Sequence, residues 1–108
     1  MDFGLRQEDL AEIVMTLQKF SAIEEAIIFG SRAKGNYKKG SDVDIAVKGA
    51  GITHDVVLAI SFALNEDSAM PYFFDIVHFE GISEKELSDH INRVGNCIYL
   101  QQGEETAS

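Results

Sequence analysis

A chain of 108 residues has room for one hydrophobic core, and its 45% hydrophobic and 25% charged residues are those of an ordinary globular protein. Its apolar runs are too short to cross a bilayer as a helix. A net charge of −9 repels long nucleic acids unless positive charge is concentrated somewhere. It is concentrated, since Arg32, Lys34, Lys38 and Lys39 are four of the nine basic residues. Such a patch suits one small polyphosphate better than a nucleic-acid groove. The start Met1-Asp2-Phe3-Gly4 has neither basic residues nor an apolar run, so no signal peptide is expected. A lone cysteine, Cys97, in an apolar segment fits a reducing, cytoplasmic setting and reads as a packing residue.

Leu10, Ile13, Val14, Leu17 and Phe20 recur at helical spacing, which predicts a helix over 8–20. Glu8, Asp9 and Glu12 favour its positive end. Glu25 to Phe29 reads as a short strand broken by Gly30-Ser31. Residues 31–36 read as a short helix or turn opened by Ser31 and closed by Gly35-Asn36. Asp42 to Lys48 alternates as a second strand, with Val43, Ile45 and Val47 on one face and Asp42, Asp44 and Ala46 on the other. Gly49-Ala50-Gly51 ends it, and Thr53 or His54 opens a helix to about Asn65.

Met70-Pro71 turns into a third strand, Tyr72 to Phe79. It is apolar on both faces except at Asp75 and His78, so it is expected to be central and covered. Ser83-Glu84-Lys85-Glu86 has the form of a capping box, opening a helix that runs through Leu87, Ile91 and Val94 to Gly95. Asn96 to Leu100 adds a last short strand, and the polar residues 103–108 are expected to be disordered. The fold class is therefore α+β with α/β-type layering. A small mixed sheet of three to four strands, with helices packed on one face, forms a single domain over 1–102.

Alternation puts Asp42 and Asp44 on the same strand face, their Cα atoms roughly 6.5 to 7 Å apart. Two like charges about 4 Å apart repel by on the order of 4 kcal/mol at an effective dielectric of 20, so an enclosed cluster binds protons or metal. Mg²⁺ prefers oxygen ligands and is commonly held by one or two carboxylates plus substrate phosphates. Asp75, set among Tyr72-Phe73-Phe74 and Ile76-Val77, needs a partner if it is buried and ionised. Beside the Asp42/Asp44 pair it could bind a second metal or accept a proton from an attacking hydroxyl. The alternative is an edge-strand aspartate facing water. Gly30 lets backbone approach a phosphate, and Ser31 offers a hydroxyl and an amide at a helix start.

Gly30-Ser31, then Asp42-Val43-Asp44, then Asp75 on an apolar strand resembles the DNA polymerase β-like nucleotidyltransferase superfamily. The run Gly30-Ser31-Arg32-Ala33-Lys34-Gly35, followed by Ser41-Asp42-Val43-Asp44-Ile45-Ala46-Val47, is most similar to its minimal nucleotidyltransferase branch. The resemblance covers roughly residues 10–100. It implies transfer of a nucleoside monophosphate, AMP in the first instance, from an NTP such as ATP to a hydroxyl acceptor, with two Mg²⁺ ions and release of pyrophosphate. Asp42, Asp44 and Asp75 would be the catalytic and metal-binding residues, with Asp75 the base. Gly30 and Ser31 would hold the triphosphate. Lys34 stands where arginine is frequent and loses the bidentate fork, for which Arg32 would compensate. The resemblance also implies a separate all-helical HEPN-type partner, or a homo-oligomer, and a toxin–antitoxin role.

His54, His78 and His90 lack metal-ligand spacing, Tyr37 could stack on a base or be a plain loop aromatic, and Tyr72-Phe73-Phe74 reads as core. A regulatory module that binds nucleotide or partner without catalysis is the competing reading. A template-directed polymerase is set aside, because the chain is too short and too acidic to hold a duplex.

Overall fold

The structure is a computed structural model that describes residues 2–102; the expected disordered tail, 103–108, lies outside the described residues. In chain order the elements are α1 (Gln7–Gln18), β1 (Glu25–Phe29), α2 (Gly30–Lys34), β2 (Val43–Lys48), α3 (His54–Asn65), β3 (Phe74–His78), a 3₁₀ turn (Phe79–Gly81), α4 (Lys85–Val94) and β4 (Asn96–Leu100). The sheet is mixed, in the order β3-β2-β1-β4. β1 runs antiparallel to β2 and β4, and β2 runs parallel to β3. The α+β class and small mixed sheet expected from the sequence are what the chain forms. No described helix is long and apolar enough to cross a membrane.

Alternation along the strands divides the core in two. Ala26, Ile28, Val43, Ile45, Val47 and Phe74 face α1 and α3, where Ile13, Leu17, Ile60 and Leu64 bury their side chains. Ile27, Phe29 and Ala46 point the other way and meet Ile91 of α4. Helices on one face is thus the arrangement of α1 and α3, while α4 crosses the opposite face. That second face is the one carrying Asp44, since Phe29 pairs with Asp44 across the β1–β2 ladder.

Several local readings change. β3 is an edge strand, not a central one, and Phe73 just before it is 59% exposed. The apolar run there reflects one face on α3 and a partly covered second face, and a short strand at the rim leaves its flanking aromatic in water. Cys97 lies on the other edge strand and is exposed, not packed; it pairs with Ile27, on a face that α4 covers only in part. The capping box does not close: Glu84 is the N-cap of α4 and its side chain makes no cap hydrogen bond. Gly95 ends α4 for a steric reason and not through a left-handed cap. Its φ is −68°, and a Cβ there would overlap Ile91 O and Ile27 Cγ2. Asp9 is more than a charge near the start of α1. It is 3% exposed, accepts from Arg6 Nε at 2.9 Å and from Tyr72 Oη at 2.8 Å, and ties α1 to the approach of β3.

Candidate active site

The end of the sheet where β1 stops and β2 and β3 begin gathers the polar residues singled out in the sequence. Phe29 closes β1 in extended conformation, and Gly30 turns with φ +75° into the five-residue α2. A Cβ at Gly30 would overlap Asp44 Oδ2, so the carboxylate occupies the space that a side chain would need. Ser31 follows inside α2, where its carbonyl accepts the amides of Gly35 and Asn36. It opens no helix as a cap, since Phe29 holds the N-cap position. Gly35 ends α2 in the left-handed region, φ 87°.

On β2 and β3 the parallel register sets Asp44 directly beside Asp75. Residues opposite one another on neighbouring strands share a face and stand about 5 Å apart. Two carboxylates so placed repel. The Asp44 carboxyl is pushed up to about 6 by burial first, then by the charges of Asp75 and Asp42. Asp42 is exposed, just ahead of β2. Asp75 is exposed on the edge strand, so the water-facing alternative describes its solvation and the in-register alternative describes its neighbour. Among the described residues, no three His, Cys, Asp or Glu side chains form a ready metal cage. The preassembled unit is the Asp44–Asp75 pair, with Asp42 near enough for its charge to be felt.

The pair depends on a residue the sequence reading passed over. Asn65, at the end of α3, donates from Nδ2 to Phe74 O at 2.9 Å and accepts from Phe74 N at Oδ1 at 2.7 Å. These two bonds serve the backbone next to Asp75, on the strand with no neighbour beyond it. They secure the register that puts Asp75 beside Asp44. An asparagine closing a helix is an ordinary stop signal, so nothing in the sequence marked it.

Arg32 is withdrawn from the phosphate-binding set. It is 3% exposed, and its guanidinium is committed to Ser41 O from Nε (3.1 Å) and Nη2 (2.9 Å), and to Phe3 O from Nη1 (2.9 Å). Its short neighbour-rich helix turns it inward, which spacing alone could not indicate. Lys34 is exposed at the end of α2. His54 begins α3, His78 lies 3.1 Å from Glu80, and His90 meets Phe29 edge-on at 6.4 Å; none belongs to the carboxylate pair.

The family model described as Polymerase beta, Nucleotidyltransferase matches residues 11–104. The chain belongs to that family. No curated protein sequence matches this nucleotidyltransferase, but solved structures share its fold. One, a toxin–antitoxin complex with AMP-PNP, aligns at TM-score 0.69 and 19% identity over 94% of this chain and 79% of that chain. A second, a tri-AMPylated Shewanella oneidensis HEPN toxin in complex with an MNT antitoxin, aligns at 0.68 and 19% over 94% and 78%. A third, the MntA–HepT toxin–antitoxin complex, aligns at 0.67 and 19% over 94% and 78%. At such identities the likeness concerns the fold of the nucleotidyltransferase. Its chemistry has to be argued from its own residues.

Proposed function

We propose that this nucleotidyltransferase moves AMP from ATP to a hydroxyl group on a separate all-helical partner of HEPN type, and acts as the antitoxin of that pair. One observation carries the chemistry. Asp44 and Asp75 stand side by side against the glycine turn at Gly30, with Asp42 adjacent. Carboxylates that hold one another's charge at this cost are relieved by a hard divalent cation, and an incomplete oxygen set is what Mg²⁺ accepts when substrate phosphates supply the remaining ligands. The residues therefore fit Mg²⁺, with Asp42, Asp44 and Asp75 as the groups that would hold it. When bound, it would neutralise triphosphate charge and favour the ionised acceptor hydroxyl.

The chain's own groups do the rest. Gly30 makes the turn that admits the Asp44 carboxylate against the backbone, Ser31 offers its amide and hydroxyl to the triphosphate, and exposed Lys34 adds positive charge. Asp75, the more open member of the pair, accepts the proton of the attacking hydroxyl. The acceptor oxygen bonds to the α-phosphorus as the bond to pyrophosphate breaks, so pyrophosphate leaves and the acceptor gains one AMP. Support for a helical partner comes from the toxin–antitoxin complexes that share the fold.

Intact-mass measurement of a co-expressed helical partner, incubated with ATP and Mg²⁺, tests the proposal. A gain of one or more AMP units, absent with the Asp42→Asn/Asp44→Asn variant, is expected. Tight association with no mass gain would identify a binding module and overturn the reading.

A further inference from the structure

The basic cluster of the sequence divides in the structure. Lys34 ends α2, but Lys38 and Lys39 line an open cleft of about 680 Å³ together with Arg6, Arg32, Tyr37 and Tyr72. None of Gly30, Ser31, Asp42, Asp44 or Asp75 lines it. Its size is within the roughly 300 to 1,000 Å³ of small-molecule sites.

The walls are held in place. The Arg32 guanidinium lies between two aromatic rings, 5.2 Å from the centre of Tyr37 and 5.3 Å from that of Tyr72. Gly4 packs so closely on Tyr37 that a Cβ would overlap the ring. Phe3 and Gly4 both have positive φ, 60° and 74°, a conformation that a residue like phenylalanine rarely adopts. Arg32 Nη1 donates to Phe3 O and fastens this strained turn to the cleft. The lysines are carried on a closed turn, with Ser41 N donating to Lys38 O at 2.9 Å and Lys38 N to Ser41 Oγ at 2.8 Å. The nearby Asp9 is buried and already bonded to Arg6 and Tyr72. A chain of net charge −9 thus carries a cleft that is cationic and aromatic together.

We propose that this cleft is a second nucleotide site, independent of metal, which takes a nucleoside monophosphate unit. The phosphate is met by Lys38 and Lys39, and the base lies against Tyr37, whose ring is backed by Arg32. The loop that forms the cleft leads directly into Asp42, so the site borders the proposed reaction centre without sharing its residues. Binding in this cleft does not depend on the transfer reaction.

The probe is AMP, titrated calorimetrically into the full chain in EDTA and low salt. Binding is expected in the wild type and unchanged in Asp44→Asn. It should weaken at least roughly tenfold in Lys38→Ala/Lys39→Ala and in Tyr37→Leu, and inorganic phosphate should compete only at about tenfold higher concentration. Lys38 and Lys39 are exposed, so the double alanine variant tests the site without disturbing the core. No binding in EDTA, loss of binding in Asp44→Asn, indifference to the lysine variant, or phosphate competing as well as AMP would each overturn the proposal. Failure here leaves transfer to the helical partner intact, because that reaction is read by mass gain with Mg²⁺ present.

Discussion

The carboxylate of Asp44 fills the space where a side chain on Gly30 would stand. The turn and the acid are therefore fitted to each other, one residue's missing Cβ making room for the other's charge. Gly30→Ala adds both a left-handed alanine, costing about 1 to 2 kcal/mol, and an overlap with Asp44 Oδ2. We expect it to lower the thermal midpoint and to reduce AMP transfer by on the order of 100-fold. Combining it with Asp44→Ala should recover the steric share of the stability loss but not the activity. A Gly30→Ala protein with wild-type stability and turnover would show that turn and acid are unrelated.

Asp44 also sets a pH dependence of the metal-free protein. Its carboxyl is raised from 3.8 to about 6 by burial, Asp75 and Asp42, so the folded state resists its ionisation. A raised acid contributes a penalty that is absent below about pH 4, grows as pH rises through the folded value, and is constant above it. The full shift corresponds to about 3 kcal/mol, and partial solvent screening reduces this to on the order of 1 kcal/mol. In EDTA, Asp44→Asn should therefore be more stable than wild type at pH 8 and no more stable at pH 4, as read from urea midpoints. Equal midpoints at pH 8 would contradict the crowding of the pair.

The sequence carried the strand-level layout of this site, because alternation places Asp42 and Asp44 on one face and the apolar surroundings of Asp75 call for a partner. It did not carry the burial of Arg32 or the exposure of Cys97. Those follow from tertiary direction, namely which way a five-residue helix turns its side chains and how far α4 reaches over the sheet. β3 read as central because period-2 patterning reports which faces are covered, not whether a further strand lies beyond. The register pin at Asn65 left no trace in local pattern, since it acts on a backbone nine residues away.

Arg32 should behave as a structural residue. Arg32→Lys keeps the charge but cannot serve Phe3 O and Ser41 O together, and we expect it to cost about 3 kcal/mol. Mg²⁺-dependent ATP affinity of the folded protein should not change. Thermal melts and calorimetric titration separate the two effects, and a selective loss of Mg²⁺-dependent ATP affinity at unchanged stability would return Arg32 to the phosphate set.

At the start of α1, the Arg6 guanidinium holds the Asp9 carboxyl below its usual value against the opposing effect of burial. A depressed acid contributes stability that is present above its unfolded value and lost as pH falls through the folded one. The wild type should therefore exceed Asp9→Asn in stability at pH 7, and the gap should narrow below about pH 4. Tyr72→Phe, which removes one hydrogen bond to Asp9, should cost about 1 kcal/mol. A gap that stays constant down to pH 2 would remove the ionic part of this account.

The most direct test counts divalent ions at the aspartates. Mn²⁺ binding, followed by electron paramagnetic resonance with AMP-PNP present, should give roughly two ions per nucleotide-loaded chain. The Asp44→Asn/Asp75→Asn variant should lose at least one of them and bind the rest about tenfold more weakly or worse. Unchanged number and affinity of ions in that variant would mean that the aspartates on β2 and β3 do not hold metal, and the proposed reaction would have no centre.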